Sequence, residues 1–327
     1  MTIYENLAKI ADRLDVFLFD AYGVFWNGSG FYKNSLETLQ ALVAAGKTVV
    51  VVSNATPLHD DMVQSYLRKG MQPGRDYTFM VSSGEVLRQD VQAGNLHFSL
   101  CANPRRCFTL GLPHTKMFAD TVYQAVGQPE EADFVYCGVP FLTAADVALF
   151  PEYKDCFLPA RADNDGHIIY WDTTVAEPFL PLVERIAALK LPVLNANPDY
   201  TAQEGHPMSG DSASCFVIRN GTTAEMLRRC GNEVLEYGKP HKNIYDYVFA
   251  KLHECGVKIE KSRICMIGDT VRTDIKGAVA AGIVPVLCMQ TGVTAWEISK
   301  GNTVENLCEK EKIDIKQIIK INSVGGI

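Results

Sequence analysis

A chain of 327 residues with 47% hydrophobic and 21% charged side chains has enough apolar surface for a packed core, which excludes global disorder, and its length suits two domains. Its formal net charge of −7 gives no chain-wide basic footprint, so nucleic acid is excluded as the main partner. Any phosphate chemistry must gather positive charge locally, from a metal, a lysine or helix N-termini. The ten cysteines form no C-x-x-C pair and read as reduced thiols of a cytoplasmic protein. The N-terminal stretch is acidic at Glu5 and lacks the apolar run of a secretory leader, and no apolar run approaches the ~20 residues of a membrane span.

In chain order, residues from Tyr4 to Leu14 read as a short amphipathic helix. Val16-Phe-Leu-Phe19 is a continuous apolar run that stops at Asp20-Ala-Tyr-Gly-Val, the pattern of a buried parallel strand. Asn34 and Glu37 predict a capping box for a helix over Ser35–Ala45, with Gly46 as its stop. Thr48–Val52 is a second buried strand, ending in Ser53-Asn-Ala-Thr56, and a helix opens at Pro57 and runs to Gly70. This β-α-β-α grammar implies a parallel sheet with right-handed crossovers. It returns near the end of the chain, with a helix over Lys242–Glu254, a strand over Ile264–Ile267 before Gly268-Asp269, and a helix over Asp274–Ala281 stopped by Gly282. A strand over Val284–Met289 then leads to Thr291-Gly292. Between the halves, from about Leu96 to His206, lie short apolar strands such as Phe134–Tyr136 and His167–Tyr170, the latter following a hairpin-like turn at residues 163–166, which predicts an inserted second domain.

Ligands of open α/β sheets bind at the carboxyl ends of strands, where Asp20 and Asp269 both fall. Two carboxylates brought together there repel unless a cation lies between them, and oxygen-only ligands favour Mg²⁺. Asp274 can hold metal-bound water or orient Lys239, and Lys239 can neutralise nucleophile and phosphate together. Ser53 and the N–H groups after it, before the Pro57 helix, form a phosphate site. Taken singly, the aspartates read equally as helix caps, Ser53 as a turn residue and Lys239 as a surface lysine; the set together carries the chemistry. His206, His241, Arg105, Arg106, Tyr170 and Trp171 read as structural, and the absence of G-x-G-x-x-G weakens a dinucleotide-binding reading.

The order D-x-x-G-V at Asp20–Val24, Ser53 after a strand, Gly238-Lys-Pro240 and Gly268-Asp-x-x-x-x-Asp274 resembles the four motifs of the haloacid dehalogenase superfamily. Tyr237-Gly-Lys-Pro-His241 and Gly268-Asp-Thr-Val-Arg-Thr-Asp-Ile-Lys-Gly-Ala278 are similar to its nitrophenyl-phosphatase-like and N-acetylglucosamine-phosphate-phosphatase-like branch, sub-class IIA. The resemblance implies a Rossmann-like, doubly wound parallel sheet over residues 1–95 and 207–327, with a smaller, substrate-selecting α/β cap over 96–206. It implies that Asp20 attacks phosphorus to give an aspartyl phosphate and that Lys239 steadies the negative charge. Ser53 and Asn54 would hold phosphate oxygens. Mg²⁺ would be held by Asp20, the Tyr22 main-chain carbonyl and Asp269, with Asp274 in support. Asn197-Pro-Asp199 followed by Gly210 is similar to the branch's return from cap to core, which makes Asn197 and Asp199 candidates for substrate contact, and Tyr22 of the first motif is another. The implied function is Mg²⁺-dependent hydrolysis of a small phosphorylated metabolite; a homodimer through the cap is compatible with it.

One departure stands out. The superfamily's phosphatases carry a second aspartate two residues after the nucleophile, as the acid–base group, and this chain has Tyr22 there. With a reference pKa of about 10, tyrosine is a poor acid–base partner near neutrality. The alternatives this leaves are a phosphate-binding or regulatory protein with weak turnover, or a phosphotransferase.

Overall fold

Short runs of β-branched and aromatic residues build one parallel sheet from β1 (Ile3–Tyr4), β2 (Val16–Phe19), β3 (Thr48–Ser53), β4 (Phe79–Ser82), β5 (Ile264–Gly268), β6 (Val284–Cys288) and β7 (Ile319–Ile321). The computed structural model describes residues 3–112, 116–163, 165–205, 214–258 and 260–325. His206 and Gly210 lie outside them. The spatial order is β1-β7-β6-β5-β2-β3-β4. The chain therefore leaves β2 toward β3 and β4 and later returns on the other side through β5, β6 and β7. The reversal falls between β2 and β5, and such a switch point opens a crevice at the carboxyl ends of the two strands.

Among the described residues, seven helices connect these strands: α1 (Ala8–Ala11), α2 (Ser35–Ala44), α3 (His59–Arg68), α4 (Lys242–Glu254), α5 (Lys276–Ala281), α6 (Gly292–Ser299) and α7 (Val304–Lys310). Alternate sheet residues Phe17, Phe19, Val49 and Val51 share one buried cluster with Leu39 of α2 and Tyr66 of α3. All residues of β2 and β5 are buried, which is why both read as unbroken apolar runs rather than alternating ones.

Local differences from the sequence reading have local causes. The Tyr4–Leu14 helix is reduced to α1, because Ile3 and Tyr4 pair with Lys320 and Ile321 as an edge strand and Asn6 Oδ1 accepts from Ala8 N in the turn that follows. The capping box at Asn34 does not form: that residue is left-handed (φ 58°) and makes no side-chain cap. The helix expected at Pro57 begins two residues later, with Asp60 and Asp61 in its first turn, where carboxylates complement the dipole. The turn carrying Asp274 is a wide π turn over Val271–Ile275 that leads into α5.

The chain divides into two units, Met1–Ser83 with Gly238–Ile327, and Gly84–Tyr237. Residues 84–95 and 214–237, which the sequence boundaries assigned to the first, lie in the second. That second unit has its own parallel sheet, in the order Val234–Glu236, Val193–Asn195, Phe134–Cys137, Arg106–Leu110 and Gln124–Val126. Among the described residues, two antiparallel strand pairs, Phe157–Ala162 with Ile168–Thr173 and Thr201–Gly205 with Ser214–Ile218, accompany it. Buried Arg219 ties them together, donating to Asp172 Oδ1 at 2.8 Å and to Glu204 Oε1 at 2.7 Å. Among the described residues no helix is long and apolar enough to cross a membrane, and the ten cysteines are free.

Candidate active site

Register places the acidic residues. Phe19 pairs with Ile267, and Asp20 N donates to Ile267 O at 2.9 Å, so Asp20 leaves β2 beside the point where Asp269 leaves β5. One carboxylate oxygen each from Asp20, Asp269 and Asp274 lies within 4.8 Å of the others. The side chains of Asp20 and Asp274 are 13% and 2% exposed, and Asp269 is 3% exposed as a residue. Lys239, at 1% exposure, meets two of them: its Nζ donates to Asp20 Oδ1 at 2.5 Å and stands 2.7 Å from Asp274 Oδ1, close but out of hydrogen-bond alignment. Three buried carboxylates against one ammonium leave uncompensated negative charge. Such a set fits a divalent cation, because like charges this close are unfavourable in a poorly solvated site. The donors are all oxygen, which suits Mg²⁺ or Ca²⁺ better than a soft metal.

The neighbouring strand end carries the rest. Val51 pairs with Phe19, so Ser53 closes β3 next to Asp20. Ser53 Oγ accepts from Ala55 N at 3.2 Å. Asn54 grips the main chain of Lys239 from both sides: its Oδ1 accepts from Lys239 N at 2.7 Å and its Nδ2 donates to Lys239 O at 3.0 Å. The Asn54 amide therefore positions the main chain of Lys239. Ser82 and Ser83, which sequence reasoning missed, fix that turn by donating to Pro57 O at 2.6 Å and Ala55 O at 3.0 Å.

Tyr22 packs into an aromatic box. The Lys69 ammonium lies 5.3 Å from the centroid of its ring, 4.6 Å from that of Trp26 and 4.5 Å from that of Tyr66, all within cation–π range. Tyr245 of α4 is a further residue the sequence did not reveal. It is 2% exposed, its hydroxyl has no hydrogen-bond partner among the described residues, and burial above all pushes its phenol upward, with Asp274 and Asp20 adding to the rise and Lys239 opposing it.

Asn197 and Asp199 belong to the second unit, where Asn195 Oδ1 accepts from Asn197 N at 3.1 Å and Asn197 Oδ1 accepts from Asp199 N at 3.0 Å. Their polar groups shape the turn after strand Val193–Asn195. Among the residues read as structural, His241 is the N-cap of α4 without a side-chain capping bond, and Arg106 pairs with Asp133. Tyr170 stacks on Phe141 at 6.1 Å, and Trp171 packs on the second unit's core.

Two family descriptions match this chain: "Haloacid dehalogenase-like hydrolase" over residues 17–121, and "HAD-hydrolase-like" over 236–306. The chain belongs to the haloacid dehalogenase superfamily. These stretches hold Asp20, Ser53, Lys239, Asp269 and Asp274. Glycerol-3-phosphate phosphatase of Gallus gallus is 26% identical over 91% of this chain and 86% of its own length. Phosphoglycolate phosphatase 2 of Arabidopsis thaliana is 24% identical, over 92% and 91%. A putative NipSnap protein of Caenorhabditis elegans is longer: the match, at 23% identity, covers 94% of this chain and spans 54% of that protein. A haloacid dehalogenase-like hydrolase from Brucella suis 1330 shares the fold, with a TM-score of 0.71 and 24% identity over 98% of this chain and 100% of that one. Glycerol phosphate phosphatase from Mycobacterium tuberculosis, solved in complex with calcium, superposes with a TM-score of 0.53 and 19% identity over 88% of this chain and 70% of that one.

Proposed function

We propose that this haloacid dehalogenase-superfamily protein is a phosphoric monoester hydrolase that acts on a small phosphorylated metabolite through an aspartyl-phosphate intermediate and requires Mg²⁺. One observation carries the reading: three buried carboxylates converge with Lys239 at the switch point of the sheet. Asp20 is the nucleophile. Its oxygen attacks phosphorus in line with the leaving group, the ester bond breaks, and water then cleaves the acyl phosphate. Lys239, held by Asn54, balances charge on Asp20 and on the phosphoryl oxygens as the ester bond opens. Ser53 and the peptide N–H groups after it receive phosphoryl oxygens.

Asp20, the Tyr22 main-chain carbonyl and Asp269 would hold the cation, with Asp274 in support. When bound, it would neutralise these carboxylates and polarise the phosphoryl group. The calcium complex of the mycobacterial neighbour supports a divalent ion in this fold. The second unit is proposed as the substrate-selecting cap. In support, it contains a cavity of about 400 Å³ lined by Leu112, Phe141, Tyr170 and Phe179, with Thr143 and Asp146 as polar groups. Relatives named for phosphoglycolate and glycerol 3-phosphate support substrates of two or three carbons. A phosphate-release assay over a panel of sugar, acid and alcohol phosphates, in Mg²⁺ and in EDTA, tests the reading. Release that requires Mg²⁺ supports it; no release from any of the panel in Mg²⁺ defeats it.

A further inference from the structure

We propose that the corner from Thr291 to Thr294, at the start of α6, is a positioning element that works with Gly23 to aim Asp269 at the cation. This rests on the cation-dependent reading above. The corner follows β6, the neighbour of β5, and it binds Asp269 through three hydrogen bonds, one to the side chain and two to the main chain. Val293 N donates to the side-chain oxygen Oδ2 at 2.6 Å. Thr294 holds the main-chain carbonyl of Asp269, with its hydroxyl at 2.6 Å and its N–H at 2.9 Å.

The carboxylate is also walled in by two glycines from different parts of the chain. Gly23, on the turn after the nucleophile, has φ +81°, and a Cβ there would stand 2.6 Å from Asp269 Cγ. Gly292 has φ +63°, and a Cβ there would stand 2.5 Å from the same atom. Any other L-residue at either position would combine a strained backbone with overlap against the Asp269 carboxylate. The Asp269 carboxylate thus lies in a slot whose walls are bare backbone, with one oxygen anchored by an N–H. Mg²⁺ demands near-ideal geometry with ligands at about 2.0–2.1 Å, so a carboxylate fixed in one orientation before the cation arrives favours its binding. Outer hydrogen bonds to metal-ligating groups are commonly worth 10–100-fold in metal affinity.

The test is calorimetric titration of the full chain with MgCl₂ after removal of metal, alongside the melting temperature in EDTA. Thr294→Val removes the hydroxyl bond and keeps the shape, and should weaken Mg²⁺ about tenfold. Gly292→Ala should weaken it by 10–100-fold, and Thr294→Ser should restore the parent affinity. Gly301→Ala is the control: φ there is +92° and no atom of the described residues lies within 4 Å of a Cβ placed there, so it should lower the melting temperature and leave Mg²⁺ affinity unchanged. If Gly292→Ala does not fold, Thr294→Val carries the test. Variants that melt earlier yet bind Mg²⁺ like the parent would show the corner to be merely structural and overturn the inference, while the phosphatase reading stands. A parent chain that binds no Mg²⁺ overturns both.

Discussion

Replacing Lys239 by methionine isolates the electrostatics of the site. The side chain is 1% exposed, and methionine fills similar volume without the ammonium. What remains is three carboxylates with oxygens inside 4.8 Å of one another and without the ammonium that met two of them. Removing one partner of a buried pair costs about 3–5 kcal/mol, because the other is left desolvated and unpaired. At roughly 2–4 °C per kcal/mol for a domain of 150–250 residues, Lys239→Met should melt about 6–20 °C below the parent in EDTA. A cation present at 100 times its Kd returns about 2.7 kcal/mol, so saturating Mg²⁺ should recover much of the loss. The recovery should exceed the parent's own gain, since in the parent the ammonium repels the incoming cation. Calorimetric melts of both proteins at pH 8, in EDTA and in MgCl₂, measure this directly. Equal stability in EDTA, or a Mg²⁺ gain no larger than the parent's, would refute the argument that Lys239 and a cation share one excess of negative charge.

Tyr22→Asp restores a carboxylate at the family's acid–base position and should raise hydrolysis of an alkyl phosphate toward the ~10²-fold lower bound of general acid catalysis, whereas nitrophenyl phosphate, with its better leaving group, gains less. Tyr22→Phe keeps the ring against Lys69 and should change the rate little; a large loss would mean that the hydroxyl acts in the reaction. Asn54→Ala strands the main-chain N–H and carbonyl of Lys239, and urea unfolding should show a loss of about 1–3 kcal/mol together with a fall in kcat; an unchanged kcat would contradict the positioning role. Asp76 gives a pH signature: burial works against its ionisation, but Arg75, the Gln72 N–H and Gln40 outweigh it and hold the carboxyl below its ordinary range. A depressed carboxyl contributes stability above its unfolded pKa of ~3.9 and loses it as pH falls through the folded value. Urea midpoints of the parent should therefore fall more steeply below about pH 4 than those of Asp76→Asn; parallel curves would refute this.

The parts of the site carried by abrupt changes of residue type were legible in the sequence. Asp20 ends a four-residue apolar run and Asp269 follows another after Gly268, and a charged residue there has a direction as well as a place, because the strand fixes both. Lys239 was visible through its glycine and proline neighbours. What escaped depends on partners far apart in sequence. Asn54 grips a backbone 185 residues away, a pairing that no local pattern encodes. The slot around Asp269 needs Gly23 and Gly292 together, and each alone reads as an ordinary turn glycine. The capping box at Asn34 matched in composition, yet the backbone adopts a left-handed turn instead, with Ser35 Oγ donating to Phe25 O at 2.9 Å. The two-residue strand β1 is too short for any periodicity to mark it.

The central claim is that Asp20 takes up the phosphoryl group in a cation-dependent site. Acid quenching of turnover, borohydride reduction of the acyl phosphate and peptide mapping by mass spectrometry test it most directly. The expected result is modification of Asp20 in Mg²⁺ with an alkyl phosphate, absent in EDTA and absent in Asp20→Asn, which also releases no phosphate. Phosphate release by Asp20→Asn at the parent's rate, or modification at another residue, would contradict the account.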